Sequence, residues 1–96
     1  MPDPKDIFKS ILEKGARAIA PDVPVEIHIE RPKNPEHGDL SSNVALQLSK
    51  RLKRNPREIA QEFIKAISKE TLESGFASEL TVAGAGFLNV RLNPRA

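Results

Sequence analysis

The spacing of apolar residues switches period along this chain, and each period admits one kind of element. Ile7, Phe8, Ile11, Leu12 and Ile19 recur at helical steps, as do Leu40, Val44, Leu48 and Leu52 with Ala45 beside them. Ile59, Ala60, Phe63, Ile64 and Ile67 form a third such set. Each set lies along one stripe of a helix. Val23, Val25, Ile27 and Ile29 instead alternate with Pro24, Glu26, His28 and Glu30. A period of two is that of a half-buried strand, and it turns His28 to solvent or a rim. Two further short strands are read over 76–83 and 87–92, parted by Gly84, Ala85 and Gly86. The order helix, strand, helix, helix, hairpin predicts an α+β fold. It has a small, mostly antiparallel sheet of three or four strands, covered on one face by about three helices. Neither stripe nor strand is apolar all round, so the two sets of apolar faces have to be buried together. Val25, Ile27 and Ile29 are expected beside Leu88, Val90 and Leu92 on the covered face.

Local signals place the ends of these elements. Asp3 before Pro4 is a cap followed by a residue suited to the first helical position, and Asp6 faces the open N–H groups of the first turn. Gly15 sits on the first stripe, where it costs stability unless another backbone packs close. Residues 31–39, "RPKNPEHGD", carry two prolines and a glycine among charged side chains and are read as a loop. Ser41, Ser42 and Asn43 are each able to cap the helix that follows. Asn55, Pro56 and Glu58 form the capping-box pattern, so a new helix begins there and meets the preceding one at a tight corner.

Composition bounds the classes that remain. Ninety-six residues fit one domain, burying about 65% of the unfolded surface. Hydrophobic content of 39% with 29% charged residues is that of a globular chain. No apolar run approaches a membrane span and no secretory leader is read, so no membrane partner is expected and the cytoplasm is the default location. The absence of Cys excludes disulfides, thiolate metal sites and Cys nucleophiles. A net charge of +2 is too small to indicate nucleic acid by itself, so the placement of charge has to carry that argument.

The last strand carries the most informative pattern. Alternation puts Leu88, Val90 and Leu92 on one face and Phe87, Asn89 and Arg91 on the other. RNA bases splayed out of a loop are held by stacking on rings or guanidinium planes and by amides that bond base edges. One strand face here supplies all three groups. The opposite register, with Phe87 buried, is the bland reading, since an apolar ring is more often core than platform.

At these residues the chain resembles a family. "ERPKNPEHGDLSSNVALQLSKRLKRNPREIAQEFI" followed by "VAGAGFLNVRL" is similar to the N-terminal appended domain of arginyl-tRNA synthetases. The matching positions are Pro32 with His37, Gly38 and Asp39, then Asn43, Ala45, Leu48 and Lys50. Asn55, Pro56 and Ala60 follow, and Ala83 through Asn89 complete the set. One departure is Ala85, where the family usually has Pro, which leaves the turn slightly less rigid. The resemblance implies that residues 1–96 are a single tRNA-recognition domain, a fragment of a longer class I arginine–tRNA ligase. It implies contact with the D-loop at the outer corner of tRNA(Arg), with Phe87 and Asn89 on an exposed base. ATP, with Mg, and arginine are expected in the rest of the enzyme. The His-Ile-Gly-His and Lys-Met-Ser-Lys type signatures are absent here, so this fragment alone is expected to be non-catalytic and to need no cofactor.

Other candidates have competing readings. Lys50, Arg51, Lys53, Arg54 and Arg57 follow a phosphate backbone on one reading and form a solvated helix end with favourable dipole placement on the other. Arg91, one step further along the same face, is expected either near a neighbouring phosphate or as a second stacking plane. Glu36, His37 and Asp39 straddle a glycine with no fourth ligand nearby in sequence, so no metal site is expected. Ser41 or Ser42 with His37 and Asp39 invites a hydrolase reading, but there is no Gly-x-Ser-x-Gly elbow. Three functions of different class remain. The first is a tRNA-binding domain, and the second a structural module that stabilises the synthetase body without RNA contact. The third is a small enzyme built on the 36–39 loop, which predicts a deep pocket at His37. With no heptad run, a monomer is expected.

Overall fold

The computed structural model describes residues 3–94. Helix α1, Pro4–Ile19, starts where the Asp3 side chain accepts the Lys5 N–H at 2.9 Å. It buries Phe8, Ile11, Leu12 and Ala16. Gly15 is tightly enclosed, as expected, but by side chains. A Cβ there would lie 2.9 Å from both Ile67 Cγ2 and Phe63 Cδ1, so its absence lets α1 settle onto a later helix.

The run after α1 corrects the expected strand. Its burial alternates as its sequence does, with Ile27 4% exposed and His28 exposed, yet only Ile29–Glu30 joins the sheet, as β1. The reason is its partner. Leu40–Ser42 forms β2, antiparallel to β1 with Ile29 opposite Ser42. The chain turns into helix α2, Val44–Leu52, immediately afterwards, so residues before Ile29 have no strand left to pair with. Pro24 adds a position with no donor. β2 itself is not foreseen, because Leu40 also fits the helical stripe of Val44 and Leu48. Of the three capping candidates, Asn43 holds the cap position, but it is Ser42 Oγ that accepts the Val44 N–H, at 3.2 Å. Asn43 Oδ1 accepts instead from the Gln47 side-chain amide.

Helix α2 stops at Lys53, which has φ +54 and is the only non-glycine residue with positive φ among the described residues. Helix α3, Pro56–Ser68, begins with Asn55 Oδ1 accepting the Arg57 N–H at 2.8 Å and runs on into a π-helical turn, Lys69–Glu73. Strands β3, Ala77–Ala83, and β4, Phe87–Leu92, follow as the expected hairpin.

The sheet is antiparallel with order β1-β2-β4-β3. Leu40, Leu88 and Val90 face the helices and pack with Phe8, Leu12, Val44, Leu48, Ile59, Phe63 and Ile67 in one core. Val25, Ile29 and Leu92 pack against its margin, as their alternation predicts. The other face of the sheet carries no helix and is where the chain's polar groups converge.

Candidate nucleic-acid interface

The register lines up one residue from each strand on the uncovered face: Glu30, Ser41, Asn89 and Thr81. Alternation puts Phe87 and Arg91 on the same face. Phe87 is 40% exposed, so its ring is not core. Asn89 departs from the expectation that it faces solvent, being 2% exposed. It lies on a central strand between Ser41 and Thr81, at the bottom of a groove whose other side is built by the loop after β1. Buried as it is, its Oδ1 accepts no hydrogen bond.

The groove has a volume of about 340 Å³. Its floor is Ser41, Asn89 and Phe87, its loop side presents Arg31, Lys33 and His37, and Ala83 and Gly84 close the hairpin end. A ring, an amide whose oxygen is buried and unpaired, a hydroxyl, an imidazole, two cations and the Glu30 carboxylate thus meet around one small space. A few directed polar groups on an otherwise apolar concavity make a selective ligand site.

The loop is pinned to β4 by its own chemistry. Within it, a 3-10 turn at Pro35–His37 is organised by Asn34, whose side chain accepts the Glu36 N–H at 2.9 Å and whose carbonyl accepts the His37 N–H at 3.0 Å. Gly38 has φ +121, and a Cβ there would sit 2.5 Å from the Val90 carbonyl oxygen. That approach lets the Asp39 N–H donate to the same oxygen at 2.7 Å, while Asp39 Oδ2 accepts the Leu92 N–H at 2.8 Å. Arg91 donates to the Glu36 carbonyl at 3.0 Å and lies 3.5 Å from Glu79. The Arg91 guanidinium therefore ties the loop to the sheet.

These partners also dispose of the hydrolase grouping. Asp39 serves the Leu92 N–H and Ser42 the Val44 N–H, so neither is aligned with His37 as an acid–base relay. His37 and Ser41 line the same groove, and among the described residues no hydrogen bond joins them. Among the described residues, no three His, Asp or Glu side chains are grouped to hold a metal ion, and no helix is long and apolar enough to cross a membrane.

The basic cluster at the α2–α3 corner divides. Arg54 forms an ion pair with Glu62 at 2.5 Å, and the hydrogen bond to Glu62, followed by that carboxylate's charge, holds its pKa above the ordinary value. Arg57 donates to the Gly84 carbonyl. Lys50, Arg51 and Lys53 are exposed and free of intramolecular ion pairs among the described residues.

A family model described as the arginyl tRNA synthetase N terminal domain matches residues 5–92. The chain belongs to this family. Curated relatives agree. The arginine–tRNA ligase of Thiobacillus denitrificans is 49% identical over 92 residues, covering 96% of this chain and 16% of that protein. That of Bordetella petrii is 34% identical over 96 residues, covering 100% of this chain and 17% of the relative. The chain thus spans about a sixth of the length of the curated relatives it matches. Among solved structures, the arginyl-tRNA synthetase of Plasmodium falciparum superposes with a TM-score of 0.79 at 18% identity, over 92% of this chain and 16% of that one. The Thermus thermophilus enzyme does so at 0.71 and 24% identity, over 92% and 14%. At such identities the superpositions speak for the fold.

Within this arginyl-tRNA synthetase domain, the motif residues found in the sequence have separate duties. His37, Phe87 and Asn89 line the groove, Gly38 and Asp39 fasten its loop, Pro56 lies against the hairpin turn at Gly86, and Asn55 caps α3. Sequence reasoning does not single out Arg31 or Lys33, and it weighs Ser41 only as a cap and in the hydrolase grouping, never as part of the RNA-facing site. Their signal lies only in the pairing of β2 with β4, which brings Ser41 opposite Asn89.

Proposed function

We propose that this domain is the tRNA-recognition part of an arginine–tRNA ligase, taking one unstacked D-loop base at the outer corner of tRNA(Arg) into the groove. The observation carrying this reading is the buried, unpartnered Oδ1 of Asn89 on the groove floor beside the half-exposed ring of Phe87. A buried acceptor without a donor is costly, and a base edge offering an N–H relieves it while the ring stacks on the base. Lys50, Arg51 and Lys53 follow the phosphate backbone and supply affinity without sequence preference. Arginine, ATP and Mg belong to the remainder of the synthetase chain, which this domain supports in attaching arginine. On this proposal the enzyme works in the cytoplasm as a monomer.

The test is the affinity of the complete gene product for tRNA(Arg). Base stacking is worth about 1 to 3 kcal/mol, so Phe87→Ala is expected to weaken binding about tenfold or more. Unchanged affinity would leave the domain as a support for the enzyme body.

A further inference from the structure

Arg57 stands in the basic cluster by sequence but is engaged elsewhere. Its guanidinium donates to the carbonyl of Gly84, at the start of the β3–β4 turn. The base of its side chain is fixed, because its own N–H is held by Asn55 Oδ1 in the first turn of α3. A second contact lies alongside: Gly86 has φ +141, and a Cβ there would meet the Pro56 backbone and Cβ at 3.1 Å. The turn is therefore seated on the start of α3 at both of its glycines. It needs that seat, since Gly84 also has positive φ and Ala85 between them adds no ring constraint. Gly84 lines the groove and Phe87 directly follows the turn, with its ring Cδ2 3.7 Å from where a Gly84 Cβ would be.

From these contacts we infer that Arg57 is a positioning residue of the groove, fixing the Gly84 carbonyl and through it the Phe87 ring, and that it is not a phosphate contact. The inference rests on the groove being the base site. A guanidinium suits the task because its planar fork aims a donor at a carbonyl while the charge stays solvated. Loss of such a hydrogen bond loosens the platform without removing it, so Arg57→Ala is expected to weaken tRNA binding about threefold to tenfold.

The experiment is a double-mutant cycle on the complete gene product, measuring affinity for tRNA(Arg) over a range of salt concentrations. The proteins are wild type, Arg57→Ala, Phe87→Ala and the double variant, with Arg57→Gln as a second probe of Arg57 and melts as fold controls. Positioning predicts an Arg57 effect that disappears once Phe87 is Ala, with an unchanged salt slope in the Arg57 variants. An effect that persists in the Phe87→Ala background, or a slope lower by about one, overturns the inference in favour of a phosphate contact. An Arg57→Ala protein that binds normally overturns it too, whereas binding restored in Arg57→Gln, which keeps a donor without the charge, supports it. If Phe87→Ala alone binds normally, the base-site reading falls first and the positioning role with it.

Discussion

Asn89 is a single residue that the fold carries at a cost. A buried carbonyl oxygen without a donor costs about 1 to 3 kcal/mol, and the neighbours Ser41 and Thr81 do not relieve it. Replacing Asn89 with Ala removes that cost and a little packing together. The melt is therefore expected to stay within about 1 kcal/mol of wild type, while discrimination between tRNAs that differ at the D-loop base falls. A strongly lowered melting temperature with discrimination intact would make Asn89 a structural residue. Alternation alone puts Phe87, Asn89 and Arg91 on one face, and that face is the one without helices. Exposure is not legible in the same pattern. It depends on the loop at Arg31–His37, whose attachment to β4 runs through Gly38 and Asp39, far from the hairpin in sequence.

At the scale of elements, that loop is the part whose conformation the groove can least spare. Any side chain at Gly38 meets the Val90 carbonyl oxygen and also opposes a φ of +121. Gly38→Ala is expected to destabilise the domain by about 2 to 4 kcal/mol and to weaken tRNA binding, read by a thermal melt beside an affinity measurement. A melt equal to wild type would show that the loop tolerates a different path. The longer elements are legible because each repeats its period several times: the three helices and the hairpin lie close to where caps and stripes put them. β2 is not, since three residues hold no periodicity and Leu40 satisfies the helical spacing equally well. The strand expected from Val23 is too long for the same cause, its alternation reporting burial while its hydrogen bonding depends on that short partner. The π-helical turn at Lys69–Glu73 leaves no signal that period or capping would reveal.

For the whole molecule, the proposed function separates into recognition of a base and attraction to RNA in general, and charge rather than shape tells the two apart. The groove lies on the uncovered sheet face, and the free cations Lys50, Arg51 and Lys53 lie at the α2–α3 corner, whose Arg57 reaches the hairpin. Replacing Lys50 and Lys53 with Gln is expected to weaken binding of any tRNA alike. It should also flatten the dependence of log affinity on log salt by about one unit for each phosphate that is no longer neutralised. An unchanged slope would assign both residues to a solvated helix end.

The strand order adds a temporal consequence. β2 and β4 are neighbours in the sheet although Leu40 and Val90, which pair across it, are about fifty positions apart. Long-range pairing of this kind slows folding, because loop closure has to precede the contacts that reward it. As the chain leaves the ribosome, α1, α2 and α3 emerge with apolar stripes that no sheet yet covers, and Leu88 and Val90 follow after every other residue of this core. The ribosome thus delivers the keystone of the arch last, and until Leu92 is clear of the exit tunnel the nascent chain presents its interior to chaperones.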